Sequence, residues 1–121
     1  VSAFVQKGSE IITVVTNDSW YGNSSGPYQH KDFAILRAVE NRRSVVRCAN
    51  GGISCIINAK GEILAETNMF TKTTLVGDVP LQEEKTFYTK NPLIIPVLCS
   101  VFSFWIFGMN ILIWLKKKFK M

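Results

Sequence analysis

The stretch IITVVTNDSWYGNSSGPYQH, from Ile11 to His30, decides the fold because it joins a strand pattern to a helix pattern through an unusual loop. Its beginning, Ile11 to Thr16, is a β-branched run typical of a buried strand. Near its end, Pro27 suits the first turn of a helix. The loop between them, Thr16 to His30, holds the adjacent aromatic residues Trp20 and Tyr21, an Asn-Asp pair and the chain's single histidine. Such a loop is either an ordinary polar connection or the wall of a site.

Helix and strand patterns alternate through the first ninety residues on both sides of this stretch. The predicted elements are the end of a helix at 1–7, strands at 11–16, 44–48 and 73–79, a helix from about 28 to 42, and a hairpin over 53–66 that turns at Gly61. This alternation predicts an α/β layered domain over residues 1–80. One full helix cannot cover both faces of its sheet, so we expect the missing partners upstream in a longer parent chain.

The C-terminal region contains a charge-free run, Leu93 to Leu115. At about 1.5 Å per residue, a helix of this length crosses a hydrocarbon core of roughly 30 Å, which favours a membrane span over a buried core helix. The lysines that follow belong on the cytoplasmic side of a membrane. We therefore expect residues 1–92 to be periplasmic in a Gram-negative cell, with a polar connector at 81–92, the span at 93–115 and a cytoplasmic basic tail at 116–121.

Charge and cysteine content exclude several classes of function. The first 115 residues carry ten basic and nine acidic side chains, so the domain has no basic surface of the kind that binds nucleic acid. Cys48, Cys55 and Cys99 have no CxxC spacing, and His30 is the single histidine. This pattern predicts neither a disulfide framework nor a metal site, and we expect no cofactor.

The candidate binding residues lie in the loop. Asn17 and Asp18 end a strand, where α/β proteins often place groups that face a ligand, although local turn chemistry explains the pair equally well. Trp20 and Tyr21 are costly in a polar loop unless they cover something apolar. The alternative is that both rings pack on the core of the domain itself.

Other residues of the loop and of the segments after it have weaker indications of function. Gly22 and Gly26 would let the loop move as a lid. His30 has no acidic partner at a helical spacing, so a structural role is favoured over a general base. Cys48 has no identifiable base beside it, which argues against a nucleophile. Glu40 lies among arginines at 42, 43 and 47, and these residues are expected to form structural ion pairs.

The motifs together resemble the apolipoprotein N-acyltransferase family, whose catalytic domain is nitrilase-like. The residues that carry the resemblance are Asn17-Asp18-Ser19-Trp20-Tyr21-Gly22, Ser24, Gly26-Pro27-Tyr28-Gln29-His30, Arg37-Ala38-Val39-Glu40, Arg43 and Asn50-Gly51-Gly52. The loop motif is specific, whereas the Arg-Ala-x-Glu-Asn segment recurs widely across carbon–nitrogen hydrolases. The resemblance covers about residues 1–115 and implies the C-terminal part of a nitrilase-like α-β-β-α sandwich, followed by one transmembrane helix.

The resemblance also implies an activity. Enzymes of this family sit in the bacterial inner membrane and move an acyl chain from a phospholipid donor to the N-terminal amine of a lipid-modified cysteine in an apolipoprotein acceptor. They work through a Glu-Lys-Cys triad and a thioester, and all three triad residues are expected upstream of Val1. The substrate contacts that it implies in this chain are Trp20, Tyr21, Asn17, Asp18, Gly22 and His30.

Two alternatives remain open from the sequence. The first is a membrane-anchored amidase of the same superfamily, which would use water in place of the amine acceptor. The second is a non-enzymatic protein with a single span, which would bind partners through its outer domain.

Overall fold

The chain folds as a mixed α/β unit followed by a separate apolar helix, as a computed structural model of residues 1–119 describes it. The first unit, residues 1–90, contains helices α1 (Ser2–Gln6), α2 (Gly26–Asn41) and α3 (Phe87–Lys90), strands β1 (Ile11–Asn17), β2 (Ser44–Asn50), β3 (Cys55–Ile57) and β4 (Ile63–Glu66), and a 3-10 turn at Ser19–Tyr21. The second unit begins at Asn91 and contains helix α4 (Ile94–Lys118). The predicted α/β class is confirmed.

The four strands form one sheet in the order of the chain. β1 and β2 are parallel and are joined by α2, with Ile11 opposite Ser44 and Asn17 opposite Asn50. β3 and β4 extend the sheet in antiparallel fashion. Because β1 and β2 are parallel and in register, their carboxyl ends lie at the same edge, and the loops that follow them must meet there.

The core lies between α2 and one face of the sheet. Ala34 and Ala38 are one helical turn apart, and their small side chains allow α2 to approach the strands closely. They pack against the fully buried side chains of Val45, Cys55 and Ile57. Ile35 is partly buried against this core, whereas three other apolar side chains of α2 are about half exposed in the described chain: Phe33, Leu36 and Val39. The prediction that α2 makes contacts on more than one side therefore stays a prediction.

The predicted hairpin is confirmed, including its turn. Gly61 has φ of +88°, and its amide donates to the carbonyl of Asn58 at 3.0 Å. The side-chain oxygen of Asn58 accepts hydrogen bonds from the amides of Lys60 and Glu62. A Cβ at position 61 would stand 2.7 Å from a methyl group of Val39, so glycine is needed both for the backbone conformation and for the contact with α2.

The predicted strand at residues 73–79 is wrong. This segment runs across the face of the sheet, where Leu75 lines a cavity together with Val46 and Ile56. A Cβ on Gly77 would lie 2.9 Å from the Cδ1 atom of Ile56. Both edges of β3 already pair with β2 and β4, so the segment covers β3 without a strand edge to pair with. Its β-branched composition fits an extended segment that packs on a sheet face as well as it fits a paired strand.

The segment expected to be a polar connector, residues 81–92, packs onto the first unit as far as Lys90. Thr89 is fully buried, and its hydroxyl donates to the side-chain oxygen of Asn41 at 3.0 Å. The Gln6 amide nitrogen donates to the carbonyl of Thr89 at 2.6 Å. Only residues 91–93 therefore separate the packed segment from α4 along the chain.

Helix α4 is the candidate membrane span. It is long and apolar enough to cross a bilayer, and its most apolar part is not buried within the described chain, unlike a typical core helix. Near its C-terminal end, the Lys118 ammonium lies 5.0 Å from the centre of the Trp114 ring, a cation–π contact suited to a membrane–water interface. Of the expected basic tail, residues 120–121 lie outside the described residues.

The Cys55 thiol gives a pH-dependent test of this core. Burial raises the pKa of Cys55 above its ordinary value of 9.0, and the charge of Arg47 offsets part of that rise. The contribution that the protonated Cys55 thiol makes to the free energy of unfolding is fully present below the unfolded-state pKa. It is lost as the pH rises through the folded-state pKa. We therefore expect the free energy of unfolding to fall more steeply above pH 9 (roughly the thiol's ordinary pKa) in the unsubstituted protein than in Cys55→Ala.

Denaturant unfolding in detergent across this pH range measures that difference. Cys48→Ala, which removes an exposed thiol, is the matched control and is expected to keep the slope of the unsubstituted protein. Parallel pH profiles for the unsubstituted protein and Cys55→Ala would contradict the burial of this thiol.

Candidate functional site

The candidate site lies where β1 and β2 end side by side. The Asn17 side-chain oxygen accepts hydrogen bonds from the amide of Ser19 at 3.2 Å and from its hydroxyl at 2.7 Å. The Asn50 side-chain amide donates to the same oxygen at 3.1 Å, and the Asp18 amide donates to the Asn50 carbonyl at 2.9 Å. Asn17 thus makes the local turn contacts that were one of the two interpretations of the Asn17-Asp18 pair. It also connects the loop to the end of β2.

Asp18 is the buried centre of the site. Its Oδ2 accepts a hydrogen bond from Nη2 of Arg47 at 2.5 Å, and its Oδ1 lies 2.8 Å from Nδ1 of His30. Arg47 also donates from Nε to the carbonyl of Ile53 at 3.2 Å. One carboxylate therefore holds together the end of β1, the middle of β2 and the first turns of α2.

His30 does have an acidic partner, contrary to what helical spacing indicated. Asp18 precedes it by twelve residues, so the contact forms only because the loop folds the start of α2 back toward the end of β1. An ionised carboxylate only accepts hydrogen bonds, so beside an ionised Asp18 the Nδ1 of His30 is the donor. The side chain of His30 is 36% exposed. Both the structural role favoured from the sequence and the substrate contact implied by the family resemblance stay predictions for His30.

The aromatic residues extend from this centre toward the surface. The Tyr21 ring centre lies 6.2 Å from that of His30 and 6.5 Å from that of Trp20, in both cases edge to face. A Cβ on Gly26 would lie 2.6 Å from the Tyr21 ring, so the start of α2 passes directly beneath that ring. Trp20 is 80% exposed, so within the described chain its ring does not pack on the core.

Sequence reasoning gave no physical role to the Asn50-Gly51-Gly52 motif. Gly51 has φ of +70°, and a Cβ there would lie 2.8 Å from the Cα of Ser19. A Cβ on Gly52 would collide with the Asp18 carboxylate. The two glycines allow the loop after β2 to close over Asp18. The available signal was a glycine pair directly after a strand, which marks close approach of a backbone.

The motif glycines of the first loop have different surroundings. Gly22 ends the 3-10 turn with φ of +58° and has open space where a side chain would be. Gly26 is the first residue of α2 and lies against Tyr21. Movement of this loop as a lid stays a prediction.

The expected ion pairs form, but with different partners. Glu40 pairs with Arg37 at 2.6 Å, and this hydrogen bond raises the pKa of Arg37. Arg47 pairs with Asp18. Arg43 donates instead to backbone carbonyls, at Ser9 and Glu84 among others.

A cavity of about 570 Å³ adjoins the loop at the end of β2. Ser19 and Gly51 form part of its wall, and Cys48, Phe70 and Lys72 form another part. The site therefore consists of the buried polar centre around Asp18, an exposed aromatic rim formed by Trp20 and Tyr21, and a cavity lined in part by Ser19. Residues 1–119 include no group of three or more side chains placed to hold a metal ion.

Asp18→Asn is expected to destabilise the protein strongly. Asparagine keeps the size of the side chain but leaves the guanidinium of Arg47, which is almost fully buried, without its counter-charge. Removal of one partner from such a pair costs about 3 kcal/mol of unfolding free energy or more. Urea unfolding in detergent, followed by circular dichroism, measures this loss. Asp78→Asn, at an exposed carboxylate, is the control and is expected to change stability by less than about 0.5 kcal/mol. Equal stability of the two variants would refute the role of Asp18.

Comparison with known proteins finds relatives that carry the name apolipoprotein N-acyltransferase. Apolipoprotein N-acyltransferase of Chlorobaculum tepidum is 46% identical over 99 residues, which cover 82% of this chain and 19% of that protein. The enzyme of the same name from Geobacter metallireducens is 46% identical over 73% of this chain and 17% of its own length. That of Shewanella oneidensis is 35% identical over 79% of this chain and 19% of its own. The chain thus spans about a fifth of the length of these curated relatives.

The family model for carbon-nitrogen hydrolase matches residues 2–88. This range contains the whole four-stranded sheet, the buried Asp18 centre and the packed segment as far as the start of α3. With that match over most of its length, the chain belongs to the carbon–nitrogen hydrolase family.

Proposed function

We propose that this chain is part of an apolipoprotein N-acyltransferase, which moves a fatty acyl chain from a phospholipid to the N-terminal amine of a lipid-modified cysteine. The observation that carries the proposal is an exposed Trp20, next in sequence to Ser19 in the wall of a cavity, on a carbon–nitrogen hydrolase unit that a candidate membrane span directly follows. The names of its relatives support the same reaction. An acyl chain is the kind of apolar substrate that an exposed indole can cover.

In this proposal the Glu-Lys-Cys triad lies ahead of residue 1 in the complete enzyme. The cysteine thiolate attacks the ester carbonyl of the phospholipid, the lysophospholipid leaves, and a thioester forms. The amine of the acceptor then attacks the thioester, an amide forms and the thiolate is released. The present chain supplies a wall of the cleft and takes no part in these bond changes.

The loop residues divide into those that touch substrate and those that act through others. Trp20 and Tyr21 are exposed and contact the acyl chain, and Gly22 ends the turn that presents them. Asp18 is fully buried, so it acts by holding His30 and Arg47, and Asn17 holds the turn. His30 lies beneath the Tyr21 ring and supports its position.

We infer further that the complete enzyme sits in the bacterial inner membrane, with residues 1–92 on the periplasmic side. Three consecutive lysines at 116–118 end α4, and lysines beside a span are retained in the cytoplasm. The acyl donor and the lipidated acceptor both reside in the membrane, so this placement brings them to the same surface as the unit.

Mass spectrometry of a lipopeptide acceptor tests the proposed reaction. The complete enzyme, incubated with phospholipid vesicles and a peptide that begins with a diacylglyceryl cysteine, is expected to add the mass of one acyl chain to the peptide amine. A peptide with a blocked amine is the control and is expected to stay unchanged. Loss of a peptide fragment with no acyl gain would instead indicate an amidase and would overturn the proposal.

Trp20→Ala is expected to weaken acyl transfer while the fold remains intact. The ring is exposed, so its removal leaves no core cavity, but it deletes one apolar contact with the acyl chain. We expect kcat/KM for the phospholipid donor to fall about tenfold, equivalent to roughly 1.4 kcal/mol of transition-state binding. Trp20→Phe is the matched variant and is expected to keep most of the activity. Full activity in Trp20→Ala, with the same melting temperature, would count against substrate contact at this ring.

A further inference from the structure

The cavity of about 570 Å³ at the end of β2 has an uncompensated charge. Among the residues of the described chain that line it, Lys72 is the charged one and none is a carboxylate. The Lys72 side chain is exposed and forms no ion pair within residues 1–119. A cleft that carries one sign of charge attracts ligands of the opposite sign, so this cavity favours an anion.

Two hydroxyl groups in the same wall can donate hydrogen bonds to such a ligand. The Oγ of Ser54 accepts a hydrogen bond from the amide of Ala49 at 3.0 Å, and the Oγ1 of Thr67 accepts one from the amide of Ser54 at 3.1 Å. These contacts hold both oxygens in place, and neither hydroxyl donates to a group within residues 1–119. Each therefore keeps its proton for another acceptor, and the charged oxygens of a phosphate are strong acceptors.

Phe70 adds an apolar surface beside these polar groups. Its side chain is 57% exposed and forms part of the cavity wall. Its backbone has φ of +55°, in the left-handed region that is uncommon for residues other than glycine. The chain turns here so that Phe70 and Lys72, two positions apart, both line the cavity. A ligand that matches this wall has an anionic group and an apolar part.

The charge and the size of the cavity distinguish between kinds of phosphate. A phosphodiester carries a single negative charge, which the ammonium of Lys72 can balance alone. Free phosphate and phosphate monoesters carry more, about 1.5 to 2 negative charges at pH 7. The cavity volume also lies in the range that holds small organic molecules, roughly 300 to 1,000 Å³. The headgroup of a phospholipid therefore matches the cavity in charge, in size and in its apolar part.

We propose that this cavity binds the phosphodiester of the phospholipid acyl donor, with Lys72 as its cation and the hydroxyls of Ser54 and Thr67 as hydrogen-bond donors. The inference rests on the proposed function, which makes a phospholipid the donor, and it names the residues that hold the donor's headgroup. Phe70 contacts the apolar part of the donor next to its phosphate. These residues bind the donor and take no part in the changes of covalent bonds.

A comparison of two acyl donors in the complete enzyme tests this assignment. Lys72→Gln keeps a polar side chain but removes the charge. With phosphatidylethanolamine as donor, its kcat/KM is expected to fall about tenfold, the scale of one hydrogen bond to a charged group. With p-nitrophenyl palmitate, which carries an acyl chain but no phosphate, kcat/KM is expected to stay unchanged. Equal losses with both donors, or no loss with the phospholipid, would overturn the proposal.

Two matched variants control for charge and for general effects of substitution. Lys72→Arg keeps the positive charge and is expected to retain most of the kcat/KM for the phospholipid. Lys60→Gln removes an exposed lysine in the hairpin turn, outside the cavity wall, and is expected to leave both donors unaffected. A loss with phospholipid in Lys60→Gln as large as in Lys72→Gln would show that total charge matters and would overturn the assignment to this cavity.

Binding of a soluble headgroup separates this inference from the proposed function. Glycerophosphoethanolamine, the deacylated form of the donor, is expected to bind the unsubstituted enzyme in equilibrium dialysis and to bind Lys72→Gln about tenfold more weakly. Inorganic phosphate at equal ionic strength is expected to compete poorly with it. Competition by inorganic phosphate at the same concentration as the diester, or no binding of the diester, would overturn the headgroup site even if Lys72→Gln fails to fold. Absence of acyl transfer from both donors, with this binding intact, would overturn the proposed function alone.

Discussion

The structure of the site depends on one buried ion pair, between Asp18 and Arg47. Asp18 is fully buried and Arg47 nearly so, and each has a second partner: His30 for the carboxylate and the Ile53 carbonyl for the guanidinium. A buried charge without its partner is costly, so the two side chains constrain each other. Because Asp18 directly follows β1 and Arg47 lies on β2, this constraint fixes the ends of β1 and β2 and the loops that leave them. The glycines at 51 and 52 are a consequence, since a larger residue would enter the space of Ser19 or of the carboxylate.

This constraint links the interior to the proposed chemistry. Asp18 fixes His30, His30 lies against Tyr21, and Tyr21 lies against the exposed Trp20. The aromatic rim that we propose for the acyl chain is therefore supported on its inner side by the polar side chains of His30 and Asp18. At the other end of the unit, buried hydroxyls and Arg43 fasten the segment that leads to the candidate span. Satisfied polar groups in a small core thus both support the aromatic rim and hold the segment at 80–90.

The features that could be predicted from sequence are those set by local pattern. The β-branched run at Ile11, the helix after Pro27, the hairpin at Gly61 and the apolar α4 were all visible. The errors concern contacts between distant segments. An extended β-branched segment that packs on a sheet face has the same composition as a paired strand. This explains the wrong assignment at 73–79. The Asp18–His30 contact spans an irregular loop that has no fixed spacing. The packing of residues 81–90 onto the first unit was missed because threonines and lysines in a polar segment carry no sign of their burial partners.

A double-mutant cycle on Asp18→Asn and Arg47→Met tests the central claim most directly. Unfolding free energies of the complete protein in detergent are measured for both single variants and for the double variant. If the two side chains depend on each other as described, the double variant will be more stable than the sum of the single losses by about 2 kcal/mol or more. Losses that add within about 0.5 kcal/mol would show that the pair does not hold the strand ends together.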